Sequence, residues 1–163
     1  MKISLGLSAE SVKAAARRLD EYAEKLEGKS EELCLRLAEA GVDAAVSHVR
    51  KDTGELAGGI RFEKSGDKEY LVVSEGEYAT FVEFGTGVVG QGTYPGNLPA
   101  GWGYDERRTP AAHDSADPTR WYYRDRNGET RSTRGQTANA YMAASAEEMR
   151  QAILEIAREV FRT

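Results

Sequence analysis

The stretch EYATFVEFGTGVVG, residues 77–90, decides how the chain is read. Its second half, GTGVVG at 85–90, fits the spacing G-x-G-x-x-G. That spacing holds a dinucleotide pyrophosphate only in one context. A buried strand must run into it and a helix must start at its end, so that free helix N–H groups face the phosphates. Downstream the context fails. The chain continues QGTYPGNLPAGWGYDERRTP, with seven glycines within 85–103 and all four prolines, Pro95, Pro99, Pro110 and Pro118, beyond the motif. Glycine and proline at this density do not continue a helix. Upstream, YATFVEF is too short and too mixed for a central parallel strand. Tyr78, Phe81 and Val82 fit a helical face, whereas Tyr78, Thr80 and Val82 fit a strand face. A short helix ended by Gly85 is the reading adopted. Asp105 and Glu106 stand near where a ribose-binding acid would be sought, but acids are common. A turn-rich loop outweighs a cofactor site.

Composition narrows the classes. The 163 residues suit one domain, and 40% hydrophobic content supplies a core. No apolar run approaches the length of a membrane span. The start, MKISLGLSAESVK, has no apolar core of signal-peptide length. Cys34 is the one cysteine, so no internal disulfide forms; it reads as a small core residue of a protein folding in a reducing compartment. A net charge of −5 argues against a general nucleic-acid binder. The distribution says more. Residues 69–106 carry no lysine or arginine but six acids, Glu69, Glu75, Glu77, Glu83, Asp105 and Glu106. Residues 107–134 carry seven arginines against four acids. Such a split serves self-association or a charged partner, with solvated surface as the plainer reading.

Periodicity predicts an α+β fold: N-terminal helices and a long C-terminal helix packed on a small antiparallel sheet, with a long irregular loop. Over 8–27, Val12, Ala15, Leu19, Tyr22 and Leu26 recur at helical steps, with Ser8 as cap and Gly28 as stop. Residues 30–51 read as a second helix with a wide apolar face, or as the continuation of one long helix broken near Gly28. Ile60 to Lys64 alternates, Ser65, Gly66 and Asp67 turn, and EYLVVS at 69–74 returns as a hairpin. WYYRDRNGETRSTR at 121–134 predicts a second hairpin, its Asn127 and Gly128 suiting a type I′ turn. Over 139–161, Met142, Ala146, Met149, Ile153, Ile156 and Val160 form a helical stripe. The expected organisation is a single domain, 1–163, with a helical N-terminal region at 1–57, sheet and long loop at 58–138, and the C-terminal helix at 139–163.

Catalytic chemistry finds no support. His48 lies on a helix face among alanines. His113 neighbours Asp114 and Asp117, an unspecific cluster for a metal. Ser115 is not in a nucleophile elbow, no P-loop occurs, and Glu77 and Glu83 are not spaced as one helix face. WYYRDR has aromatics and arginines that could bind single-stranded nucleic acid. Asp125 and Glu129 dilute that charge, and cross-strand aromatic pairing is favoured.

Three stretches in this order, TGELAGGIRFE, EYATFVEFGTG and WYYRDRNGETRSTRGQTANAYMAASAEEM, resemble the head–tail joining and tail-completion proteins of long-tailed phages and prophages. The resemblance spans most of 50–150. It rests on Tyr78-Ala79, on Val82, Glu83, Phe84, Gly85, Thr86 and Gly87, on Trp121, Thr133, Gly135, Gln136 and Ala138, and on Tyr141, Met142 and Ala144. The family usually shows proline then phenylalanine where Ala140 and Tyr141 stand. The resemblance implies a structural virion protein. Copies would form a ring at the head–tail junction or tail end, with tail-tube and head-connector proteins as partners, no enzyme activity, no cofactor and no membrane. Tyr78, Val82, Glu83, Phe84, Gly85, Thr86, Gly87, Trp121, Gly135, Gln136, Tyr141 and Met142 become the assembly residues it implies. DNA would pass through the ring without specific binding, along an acidic lining drawn from 69–106, Glu77 and Glu83 included. The loop from 88 would be a pliable arm ordering on a neighbour. The protein would sit in the virion, and in the host cytoplasm during assembly. A small protein-binding module is the alternative, and a nucleotide-binding enzyme using 85–92 a more distant one.

Overall fold

A computed structural model describes residues 8–50, 54–104 and 113–162. Asp105, Glu106, Arg107 and Pro110 lie outside the described residues. Ser8 opens the longest element: its Oγ accepts from the Ser11 N–H at 3.2 Å, and helix α1 runs Ala9–His48. This is one helix, not two. An interior glycine costs only about 1 kcal/mol relative to alanine, and the turns around Gly28 hold strong helix formers. The Ser30 hydroxyl does not cap a new helix; it donates back to the Leu26 carbonyl at 2.8 Å.

Helix α5, Tyr141–Phe161, packs antiparallel along the second half of α1. The order of contacts fixes the direction. His48 Nε2 meets Glu148 at 2.5 Å, Ser145 Oγ donates to the Gly41 carbonyl at 2.6 Å, and Arg36 meets Glu159 at 2.5 Å. At the far end Lys29 Nζ donates to the Val160 carbonyl at 2.8 Å. Gly41 allows the approach, because a Cβ there would lie 2.5 Å from Met149 Sδ and 2.9 Å from Val72.

At 1.5 Å per residue, α1 is about 60 Å long and α5 about 30 Å. Beyond the end of α5 the large side chains of the α1 stripe stay exposed, although Ala15 between them is buried. Val12, Leu19, Tyr22 and Leu26 are 52%, 52%, 44% and 39% exposed.

After α1 comes one helical turn, α2, Glu55–Gly58, and then a hairpin of β1, Ile60–Gly66, and β2, Glu69–Ser74. The strands pair antiparallel from Ile60↔Ser74 to Gly66↔Glu69, with an irregularity between Lys64 and Gly66. Strand β1 therefore runs through the expected turn, and Asp67 and Lys68 reverse the chain, Lys68 at φ 54°. The core gathers where α1, β1 and α5 meet: Ala45, Val49, Ile60 and Tyr141, with Val42, Val72, Val82 and Met142 against them. Cys34 is half-buried rather than enclosed.

Two short helices follow, α3, Ala79–Phe84, and α4, Gly87–Gly90. The turn of helix at Gly87–Gly90 corrects the expectation that no helix begins there. Four residues satisfy too few backbone groups to act as a phosphate-holding terminus. Strands β3, Trp121–Arg124, and β4, Thr130–Thr133, form a separate two-stranded sheet. Their turn is not type I′. Gly128 has φ 77°, but Asn127 is not left-handed. The Asp125 carboxylate accepts from the Asn127 and Glu129 N–H groups at 2.9 Å each, and the Gly128 N–H bonds the Asp125 carbonyl at 2.9 Å. An Asp at the first turn position favours this geometry by capping its own turn.

Two substitutions separate core from uncovered helix. Ile60→Ala removes a side chain 6% exposed and should cost about 2–4 kcal/mol. Leu19→Ala, on the uncovered stripe, should stay within about 0.5 kcal/mol in the isolated chain. Urea unfolding measures both, and equal losses would contradict the placement of the core.

Candidate assembly site

Glu83 is the centre around which the family-motif residues collect. Its carboxylate is buried, 5% exposed, although it sits on a six-residue helix. Its oxygens accept from the Met142 N–H at 2.9 Å and the Ala143 N–H at 3.1 Å. These are orphan donors of the first turn of α5, which has no side-chain cap of its own: the preceding residue is Ala140, left-handed at φ 53°. Glu83 supplies the cap from another helix. An anion there also suits the positive end of the α5 dipole. Glu83 therefore cannot line a DNA channel, which corrects that expectation. Glu75 is taken as well, by Arg61 at 2.6 Å.

The two helices meet end to end, and the last carbonyls of α3 are all used. Phe81 O accepts from the Gly85 N–H at 3.0 Å and Gln136 Nε2 at 3.1 Å. Val82 O accepts from the Asn139 N–H at 2.8 Å and Glu83 O from the Ala140 N–H at 3.0 Å. Phe84 O takes the Tyr104 hydroxyl at 2.8 Å. Asn139 also holds the end of α1, its Oδ1 accepting from the Arg50 N–H at 2.8 Å and its Nδ2 donating to the His48 carbonyl at 3.1 Å. Nearby, buried Tyr141 shares a 2.7 Å hydrogen bond with Ser74 Oγ, and burial pushes its phenol up.

The glycines of GTGVVG serve backbone crossing. Thr86 pairs with Gln136 through two bonds of 2.9 and 3.1 Å. A Cβ on Gly135, at φ 108°, would lie 1.8 Å from the Thr86 carbonyl oxygen. A Cβ on Gly85, at φ 79°, would lie 2.7 Å from the Ala138 nitrogen, and one on Gly87 2.6 Å from the Trp121 ring. The space a pyrophosphate would need is filled by residues 134–138 and Trp121. The structure thus brings together Val82, Glu83, Gly85, Thr86, Gly87, Trp121, Gly135, Gln136, Tyr141 and Met142. Phe84 joins them through Tyr94, its ring centroid 4.9 Å away. Tyr78 stands apart, 68% exposed.

The loop after Gly90 has no regular structure, but as far as Tyr104 it is not a free arm. Thr93 Oγ1 accepts from the Ala138 N–H at 2.8 Å. Trp102 lies over Phe81 and Phe84 with centroids 5.8 and 5.1 Å apart. A notch of about 380 Å³ between this loop, α3 and α5 is lined by Ser74, Ala79, Glu83, Tyr94, Tyr141 and Met142. Burial, with the Glu83 charge beside it, raises the Tyr94 phenol.

The arginine-rich segment is largely tied to its own acids. Asp117 accepts from the Thr119 hydroxyl at 2.6 Å and from Arg134 at 2.5 Å, with Arg120 at 3.8 Å. Arg131 meets Asp125 at 3.1 Å and Glu129 at 2.5 Å. Arg124 forms no ion pair among the described residues. His48 is paired with Glu148, and His113 Nδ1 lies 2.6 Å from the Pro118 carbonyl oxygen. Among the described residues no three of His, Cys, Asp and Glu gather as metal ligands. Sequence reading missed Asn139, Tyr104 and Ser74, whose partners lie tens of residues away.

The glycine-rich stretch and the buried acid are engaged in joining helices, and comparison shows what the chain is similar to. Residues 13–85 match the family described as Bacteriophage HK97-gp10, putative tail-component. The match agrees with the head–tail joining resemblance and supports a structural protein of a phage tail, and hence of the virion. It takes in α1, the first hairpin and the motif as far as Gly85. Trp121, Gly135, Gln136, Tyr141 and Met142 lie beyond it. No curated protein and no solved structure matches the chain.

Glu83→Ala should cost about 2–3 kcal/mol, because two buried N–H groups lose their acceptor. Glu83→Gln keeps an acceptor and should cost about 1 kcal/mol, the charge–dipole share. A loss from Glu83→Ala no larger than from Glu77→Ala in urea unfolding would refute the capping role. A second test uses pH. Hydrogen bonds from Thr119, then Arg134, hold the Asp117 carboxyl down at about 2. The unfolded chain then binds this proton first, so the contribution is full above about pH 4. It is lost as pH falls through about 2. An NMR titration of Asp117 with an ordinary midpoint would remove it.

Proposed function

We propose that the chain works as a single domain, copies of which assemble into a ring at the head–tail junction or tail end and so complete and attach the tail. Its partners are further copies, the tail-tube protein and head-connector proteins. DNA passes through without specific binding, in keeping with the net charge of −5. During assembly the protein is in the host cytoplasm. No helix among the described residues is long and apolar enough to cross a membrane.

The observation that carries this reading is the surface of the tail-type fold. Beyond the end of α5, Val12, Leu19, Tyr22 and Leu26 leave an apolar stripe of α1 exposed. Burying such a stripe against neighbours is how an elongated subunit gains stability.

Light scattering across concentration, with and without the tail-tube protein, tests the proposal. A discrete ring is expected, alone or when the tube protein is added. A monomer that ignores both tube and connector proteins would overturn the joining role and favour the binding-module alternative.

A further inference from the structure

We infer that neighbouring copies join head to tail through an aromatic patch on one copy, Tyr78, Phe81 and Trp102 beside Glu77, and the β3–β4 hairpin of the next, led by Arg124. This deepens the ring reading above and rests on it.

Three observations carry it. The first is an unused apolar surface. Tyr78 and Phe81 are one helical turn apart, 68% and 43% exposed, and the half-buried Trp102 backs Phe81 from the loop, ring centroids 5.8 Å apart. Aromatic side chains at this exposure mark interaction surfaces.

The second is charge. The patch lies in a segment, 69–106, with no lysine or arginine. Glu77 precedes Tyr78, is exposed, and forms no ion pair among the described residues. On the hairpin, Arg120, Arg131 and Arg134 are held by Asp117, Asp125 and Glu129. Arg124 is exposed with no partner among the described residues. Strand alternation puts Tyr122 on the same face as Arg124. An arginine flanked by tyrosine suits an aromatic face with an acid at its edge, through cation–π contact and ion pairing.

The third is geometry. Both strands of the hairpin are exposed apart from their roots at Trp121 and Thr133, and a lone two-stranded hairpin is marginal in water. Hairpin and patch are different surfaces of one chain. A contact between unlike surfaces is heterologous, and heterologous contacts with the right rotation close into rings. A two-fold dimer would instead match a surface with itself.

A charge swap tests the pair, read by sedimentation at matched concentrations. Glu77→Arg and Arg124→Glu should each weaken self-association at least about tenfold, since each sets like charges together. The double variant should restore most of it. Both residues are exposed and without an ion-pair partner among the described residues, so circular dichroism and melting should match wild type in all three. Wild type and both single variants assembling alike would overturn this interface and leave the ring reading standing. Wild type remaining monomeric alone and with both the tail-tube and head-connector proteins would overturn both. Single variants that self-associate normally but lose the tube protein would assign the patch to that protein and overturn the second-copy contact.

Discussion

The fold depends on one buried carboxylate facing the start of one helix. An ionised side chain taken out of water is costly unless charge-assisted hydrogen bonds replace its hydration. Glu83 meets that condition with two backbone N–H groups of α5 and the positive end of its dipole. The arrangement works in both directions. Without Glu83, α5 begins at a left-handed alanine with no cap; without α5, Glu83 has no reason to be inside. Since α5 covers the second half of α1, the carboxylate marks where that cover begins. The main-chain bonds from Asn139 and Ala140 to Val82 and Glu83 turn that single contact into a joint.

The joint needs backbone to pass close to backbone, and the glycines follow from this. Residues 134–138 run beside Gly85 and Gly87 at distances that leave no room for a Cβ. Trp121 closes the other side. A glycine pattern that resembles a phosphate loop arises here because chain crossing and phosphate binding impose the same demand, access to bare backbone. They differ in what occupies the space, and here it is the protein's own chain.

This explains what is legible in the sequence. Periods of 3.6 and 2 mark α5, the two hairpins and most of α1, because they reflect local burial. The ending of α3 at Gly85 is legible for the same reason. The continuity of α1 through Gly28 is not, because a single glycine's cost is comparable to small differences in the surrounding turns. The Asn-Gly pair at 127–128 points to a type I′ turn, whereas the aspartate before it sets the geometry. Glu83 stands out in the sequence, but its role does not. An acid between valine and phenylalanine gives no sign of whether it faces solvent or a helix terminus 59 residues away. Contacts across such separations, like those of Asn139 and Tyr104, leave no periodic trace.

The same distinction governs how assembly is to be sought. Side chains that hold their own chain together are not available to a neighbour. Glu83, Gln136 and Tyr141 are bonded within the subunit, and Gly85 and Gly135 are enclosed by it. Changing them would disturb any assembly by disturbing the subunit, whatever the interface is. The residues free to meet another molecule are of a different kind. The α1 stripe from Val12 to Leu26 extends past the end of α5, Glu77 and Tyr78 stand at the start of α3, and Arg124 sits at the end of a strand. They lie at the ends of elements, where the small core of Ala45, Val49, Ile60 and Tyr141 no longer reaches. A core this small stabilises the centre of a long molecule and leaves its extremities to be buried by others. That is the arrangement expected of a subunit whose final shape belongs to an assembly.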